Sequence, residues 1–459
     1  MQAIAAGHPA TAAAGAEILG EGGSAADAAV AASLASCVAE TVMTGLLGGG
    51  HGIYHDVGTG TTANLDCFVA VPGLGGERRD AQLVELQVPF GQELVHYAVG
   101  IASCGVPGLP AGLDALWAAH GRLPWTRLVE PAMRLAVEGV AMPAAQASCL
   151  QMLATVMTMN EGARIYSPGG SILQEGDLLH QPGLVAVLEA VVEEGAATFY
   201  SGTIAHALLE LMEEGGGLVT REDLATYEPR WSDPVEVDFR GHAVRTRAGL
   251  GDFPGALASL PPLRGLDEPA RVLALVDALG RKAAGTGTTN LAVLDADGNA
   301  CVLTTSLGLG SGDFLPGFDL HLNSMLGEAD LVQEPLQPGL RMASMMSPAI
   351  ALESGNVQLA AGAAGGTRLR TALLQVVAGV LDEGLEPQAA VDRPRLHPVG
   401  STVQLEPGFA SETLAALESA GFEARVWPAR HHYFGGVSVV TPTDAAGDPR
   451  RSGDVRVLP

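Results

Sequence analysis

Two sheet layers flanked by helices, an α/β (α+β) arrangement, is the fold the sequence predicts. Three features carry it: an alanine-rich helical start, a β-hairpin signature after residue 288, and later apolar runs with one helix among them. The start reads as two helices parted by Gly22-Gly23. Ser24 stands at the N-cap of the second, and Asp27, three residues on, completes the cap. That helix runs into Gly48-Gly49-Gly50, a sharp bend, and then a strand over Ile53 to His55. Between about 110 and 230, Leu, Val and Ala recur at three- and four-residue spacing with Asp or Glu between them, which is a helical pattern. Residues 243–285 are rich in Pro, Gly and Leu and read as an exposed connector, closing on a short helical pattern and Ala283-Ala284-Gly285-Thr286-Gly287. Next, Leu291-Ala292-Val293-Leu294 and Val302-Leu303-Thr304-Thr305 flank the turn residues Asp295 to Asn299, a hairpin. Apolar runs at 348–352, 357–361 and 436–441 supply further strands, with a helix from about 367 to 382.

The chain has 459 residues, 47% hydrophobic and 17% charged, enough apolar material for a deep core. Its 51 acidic against 25 basic residues give a net charge of −26, which argues against nucleic acid and anionic membranes as partners. No stretch approaches the roughly 20 apolar residues that span a bilayer. Cys37, Cys67, Cys104, Cys149 and Cys301 are scattered, without the spacing of a zinc site or disulfide framework, and read as reduced core residues. The start from Met1 to Pro9 lacks a basic segment followed by an apolar run, so the expectation is a cytoplasmic protein.

Gly287-Thr288-Thr289 sits where the connector meets a buried strand. If the bond between Gly287 and Thr288 is cut, Thr288 gains an α-amine with a pKa near ~8 that can serve as base for its own hydroxyl. Acyl transfer also needs donors around a developing oxyanion. Gly365-Gly366-Thr367, ahead of a helix, offers backbone N–H groups for that purpose. This chemistry draws on protein groups alone, so no cofactor or metal is called for. Gly308-Leu309-Gly310-Ser311-Gly312 lacks the strand, spacing and helix of a nucleotide loop. His431-His432 lacks accompanying carboxylates, and adjacent strand residues point to opposite faces, so the pair reads as packing rather than a metal site.

In their order along the chain these segments resemble the γ-glutamyltranspeptidase family over roughly 1–243 and 286–459. The resemblance is carried by His8-Pro9 through Ala31, Gly48-Gly49-Gly50, Gly105-Val106-Pro107-Gly108 and Ala197 through Gly202. It continues with Gly287-Thr288-Thr289, Gly310-Ser311-Gly312, Leu322-Asn323, and Arg341 through Pro348. It implies a four-layer αββα N-terminal-nucleophile hydrolase fold. It also implies a precursor cut into residues 1–287 and 288–459, each piece pairing with its own other half. Thr288 would be the nucleophile, Thr304 and Ser306 hydroxyls beside it, and Gly365 and Gly366 the oxyanion pair. An acyl-enzyme would form from a small-molecule amide or peptide and be released to water or an amine.

The sequence departs from the family around the expected substrate contacts, Phe68, Asn323, Ser324, Ser344 and Met345. The stretch Asp66 to Pro72 has no arginine to hold an α-carboxylate, and Phe68 stands there instead. After Leu322-Asn323-Ser324-Met325 the chain continues Leu326-Gly327 in place of an acidic pair, so no partner for an α-amine is apparent. Met345 replaces a serine. Self-processing amidohydrolase chemistry on a γ-glutamyl or related amide is the leading reading. An acylase on a non-glutamyl amide is the first alternative, and an uncleaved pseudoenzyme acting as a binding or scaffold protein is the second.

Overall fold

The structure, a computed structural model, describes residues 1–76, 82–90, 93–280, 288–332 and 335–459. Two antiparallel sheets form its centre. They are built from β1 (Gln2–Ala6), β2 (Gly49–Asp56), β3 (Thr61–Cys67), β4 (Arg230–Ser232), β5 (Val235–Phe239), β6 (His242–Thr246), β7 (Thr289–Leu294), β8 (Ala300–Ser306), β9 (Ala349–Glu353), β10 (Asn356–Ala364), β11 (Gly436–Val440), β12 (Ala445–Ala446) and β13 (Asp454–Leu458). The first sheet runs β13-β1-β7-β8-β2-β3-β4 and the second β12-β11-β10-β9-β6-β5.

Alternation along each strand decides the layers. In β1, Ile4 and Ala6 pack beneath helices α1 (Pro9–Gly20) and α2 (Ala25–Ala39), while Ala3 and Ala5 face the second sheet. In β7, Leu291 and Val293 take the helix side, and Ala292 and Leu294 the inter-sheet side. Helices α3 (Leu109–His120), α4 (Trp125–Glu138) and α5 (Gly183–Glu194) extend the first helical layer. On the far side, α6 (Phe253–Ser259), α7 (Glu268–Leu279) and α8 (Arg368–Leu381) cover the second sheet. The result is the four-layer αββα sandwich that the resemblance implies.

Residues 243–280 correct the expectation of an exposed connector. Phe253, Leu257, Val272 and Leu275 are fully buried against the second sheet, so the leucines stand at helical spacing because they are core. Residues 281–287, including the expected cut at Gly287, lie outside the described residues. β1, which the sequence did not single out, lies between β13 and β7. All five cysteines are buried and unpaired.

α2 is buried at every position, which its small side chains permit, and its N-terminus is held by charge-assisted bonds. Ser24 Oγ accepts from Asp27 N at 3.1 Å, and Asp27 Oδ2 accepts from Ser24 N at 2.9 Å. Asp27 Oδ2 also accepts from Arg122 N at 2.9 Å and Leu123 N at 3.2 Å, securing the α3–α4 turn. Asp27→Ala is expected to cost about 2–3 kcal/mol, because a cap is lost and buried N–H groups are left without acceptors. Urea unfolding checks this, and an unchanged midpoint contradicts it. Asp295, at the β7–β8 turn, accepts from Ala25 N at 3.0 Å and Asn299 N at 2.9 Å. That contact locks the turn end of the hairpin to α2.

Candidate active site

β7 pairs with β8 in the register Thr289↔Thr305 and Asn290↔Thr304. One face of this pair meets the first helical layer: Thr289 Oγ1 lies 2.5 Å from a Glu40 carboxylate oxygen, and Thr305 Oγ1 lies 2.8 Å from Thr44 Oγ1. The opposite face bridges the sheets. Asn290 Nδ2 donates to Gly436 O at 3.2 Å, and Asn290 Oδ1 accepts from Ser438 N at 3.0 Å. Two-residue periodicity puts Thr288 on the side of Asn290, at the end of the inter-sheet gap.

There Thr288 borders two cavities. The front one is lined by Thr288, Phe68, Ser306, Met325, Glu328, Leu331, Ser344, Met345, Met346, Gly366 and Leu369. The rear one is more polar, and its walls include Glu40, Gln146, Asp448 and Arg451. Thr288 itself is 4% exposed.

Of the expected neighbours, Ser306 shares the front cavity with Thr288, and its Oγ accepts from Gly308 N at 2.8 Å. Thr304 is fully buried opposite Asn290 and borders neither of these cavities. Its Oγ1 has no hydrogen-bond partner among the described residues. Gly365 and Gly366 lie between β10 and α8 at φ 127° and 61°, conformations that favour glycine. A Cβ on Gly365 would stand 2.9 Å from Gly435 Cα, so this turn also needs the missing side chain for space. Gly366 faces the front cavity beside Thr288, just before the N-cap Thr367 of α8.

Phe68, Ser344 and Met345 all line the front cavity. Phe68 stacks on His51 with ring centroids 5.4 Å apart. Burial, then the Arg247 and Arg341 guanidiniums, hold that imidazole well below its ordinary pKa. Asn323 and Ser324 are corrections: neither lines the cavity. Asn323 Nδ2 donates to Leu47 O at 2.9 Å and Gly105 O at 2.8 Å, while its Oδ1 accepts from Gly105 N at 2.9 Å and Met325 N at 3.2 Å. Ser324 Oγ accepts from Leu309 N at 3.0 Å. Both side chains satisfy buried backbone groups of converging loops.

Glu328 corrects a second expectation. Its carboxylate, 3% exposed, reaches the front cavity six positions after Leu322 and so supplies an acidic group beyond Leu326-Gly327. On the rear side, Glu40 and Arg451 join Thr288 from positions 248 residues before and 163 after it in the numbering. Burial raises the Glu40 carboxyl above its ordinary pKa against hydrogen bonds from Thr289 and Thr11 that lower it. Nothing local in the sequence marks Glu40 or Arg451. Glu328 was legible only as a lone acid near the expected position.

A family model described as γ-glutamyltranspeptidase matches residues 11–268 and 267–458. A glutathione hydrolase proenzyme of Escherichia coli K12 is 28% identical, covering 89% of this chain and 83% of its own. Acylase ACY 1 proenzyme of Pseudomonas sp. V22 is 27% identical, covering 90% and 85%. Among solved structures, a cephalosporin acylase from Bacillus halodurans superposes with a TM-score of 0.86 at 24% identity, over 100% of this chain and 96% of that one.

Proposed function

The chain belongs to the γ-glutamyltranspeptidase family and is an amidohydrolase of the N-terminal-nucleophile type; from that premise we propose that Thr288 becomes the nucleophile when the Gly287–Thr288 bond is cut, and that the acyl group it takes is predominantly apolar. The observation that carries this is the front cavity. Thr288, Ser306 and Gly366 share it with Phe68, Met325, Leu331, Met345, Met346 and Leu369.

In this reading Thr288 Oγ attacks the substrate carbonyl, and the hydroxyl proton passes to the Thr288 α-amine. The carbonyl oxygen, now negative, is met by N–H groups of Gly365 and Gly366. Collapse expels the leaving amine with that proton and leaves an acyl ester on Thr288. Water or a second amine then attacks the ester with the α-amine again accepting the proton; collapse breaks the ester C–O bond and returns that proton to Thr288 Oγ. Unbranched Met325, Met345 and Met346 give the pocket an adaptable wall. Glu328 offers an acceptor for an amine on the acyl group, but among the described residues no Lys or Arg lines the cavity to hold a carboxylate. The acylase reading therefore gains over a γ-glutamyl donor.

Anilides of an apolar acyl group, an amino-substituted apolar acyl group and γ-glutamate test it. The apolar pair is expected to exceed γ-glutamyl in kcat/KM by about tenfold or more, and the reverse order overturns the substrate assignment. Phe68→Arg supplies a guanidinium at the cavity wall. A charge-assisted bidentate pair is worth about 1.5–3 kcal/mol, so γ-glutamyl kcat/KM should rise at least about tenfold relative to the apolar substrates. An unchanged ratio means that Phe68 does not face the acyl group.

A further inference from the structure

The rear cavity holds a charge that the reaction steps above do not use. Arg451, at the end of the turn Pro449–Arg451, is 7% exposed, and its Nε has no hydrogen-bond partner among the described residues. Its Nη1 contacts Met43 Sδ at 3.1 Å. The stem presses on Gly436, where a Cβ would stand 2.3 Å from Arg451 Cγ. A Cβ on Gly365 would lie 3.4 Å from Arg451 Nη2, so the guanidinium sits against the glycine turn as well as in the cavity that Thr288 borders.

The surrounding carboxylates offset this cation only in part: Asp448 and Glu40 oppose it, while Arg368 adds to it. On its own segment, Asp448 is committed to Arg395 at 2.5 Å and Arg450 at 3.2 Å, and Arg450 also binds Glu406. From α8, the buried Arg368 adds positive charge and donates to Tyr433 O at 3.1 Å. The helix Ala144–Met152 contributes neutral Gln146 and Cys149. From the end of α2 comes Glu40, whose carboxyl burial favours the neutral acid. Glu328 stands across Thr288 in the front cavity. Burial lowers the Arg451 guanidinium from an ordinary value so high that it stays charged in neutral water.

We propose that Arg451 is a positioning residue that keeps the α-amine of Thr288 in its neutral, proton-accepting form, through the buried positive charge it places in the rear cavity. The inference rests on the self-processing reading above. A free α-amine has a pKa near ~8, so at neutral pH most of it would be ammonium and unable to take the hydroxyl proton. A cation in the same poorly solvated chamber disfavours a second positive charge and moves the amine toward the free base. Glu40 accepts from Thr11 and Thr289, one hydroxyl on each carboxylate oxygen, and whatever opposing charge it carries is what Glu40→Gln removes.

The test begins with the intact mass of the parent, to show that it is cut. The pH dependence of kcat/KM follows for the parent, Arg451→Gln, Arg451→Lys and Glu40→Gln. The acidic limb of that profile reports the free enzyme's base. Arg451→Gln is expected to move the limb upward by about one pH unit, lowering activity about tenfold at pH 6 while recovering most of it at high pH. Arg451→Lys should keep the parent's limb. Glu40→Gln, which can keep hydrogen bonds to Thr11 and Thr289 and removes a rear-wall carboxyl that makes no ion pair among the described residues, should leave the limb in place or move it downward. A uniform fall at all pH values in Arg451→Gln, or an upward shift in Glu40→Gln, overturns the proposal. Should Arg451→Gln fail to fold, the lysine and Glu40 variants still decide it. An uncut parent removes the amine and both claims together, whereas a cut parent whose limb ignores Arg451 removes this one alone.

Discussion

Thr288→Ala is expected to leave the chain in one piece and to lower amide turnover by on the order of 10⁴-fold or more, the scale seen when a covalent nucleophile is removed. In the proposed mechanism the hydroxyl is needed twice: once on the carbonyl of the preceding residue during self-cleavage, and again on the carbonyl of the substrate. Ser306 Oγ shares the front cavity but accepts from Gly308 N, and its strand position gives it no α-amine to serve as base. Thr288→Ser keeps the hydroxyl and the amine, so it should still be cut and retain turnover within about a hundredfold. Initial rates and denaturing gels read both variants. Turnover by Thr288→Ala at near-parent rates would place the chemistry elsewhere.

Asp448→Ala is expected to destabilise the fold by about 3–5 kcal/mol, the cost of breaking a buried ion network from one side. Asp448 Oδ2 accepts from Arg395 Nη2 at 2.5 Å and Val437 N at 3.0 Å, and its Oδ1 accepts from Arg450 Nη1 at 3.2 Å. Arg395 and Arg450 are 1% and 3% exposed, so the variant strands charge where water does not reach. Burial alone would raise the Asp448 carboxyl, but the two guanidiniums hold it below its ordinary pKa. A depressed folded value means this contribution is present above the unfolded carboxyl's pKa of about 4 and is lost as pH falls through the lower folded one. The urea midpoint of the parent should therefore drop on acidification below about pH 4, and the difference from Asp448→Ala should shrink there. A difference below about 1 kcal/mol at pH 7 contradicts the argument.

Legibility in the sequence followed locality. The Ser24–Asp27 cap and the β7–β8 hairpin depend on residues within a turn of one another, and they stand where the pattern puts them. Gly365-Gly366 was legible for the same reason, since a strand, two glycines and a helix make a recognisable turn. β1 was not, because Ala3, Ala5 and Ala6 carry no strand preference and alternate no polar residue. Only burial on both faces makes them a strand. α7 is the short helical pattern expected at the end of this segment, but its leucines and those of α6 were misread as exposed because nearby prolines and glycines resemble a linker, although Pro254 and Pro269 sit in the first turns of the two helices.

The site divides the same way. Thr288, Ser306, Phe68, Ser344 and Met345 stand in segments whose order resembles the family's, and they share one cavity. Asn323 stands in such a segment too, yet it spends its whole amide on the backbone of Leu47, Gly105 and Met325. Residue type and position do not distinguish a ligand from a staple. Glu40 and Arg451 reach Thr288 only through the pairing of β7 with β1 and of β10 with β11, information spread over the whole chain.

The measurement that tests the central claim most directly is the mass and N-terminal sequence of every fragment in the purified protein. The account predicts two pieces that travel together, the smaller beginning Thr288-Thr289-Asn290-Leu291. A single intact chain after prolonged incubation, or a cut that leaves Thr288 inside a fragment, contradicts it and returns the uncleaved scaffold as the better explanation.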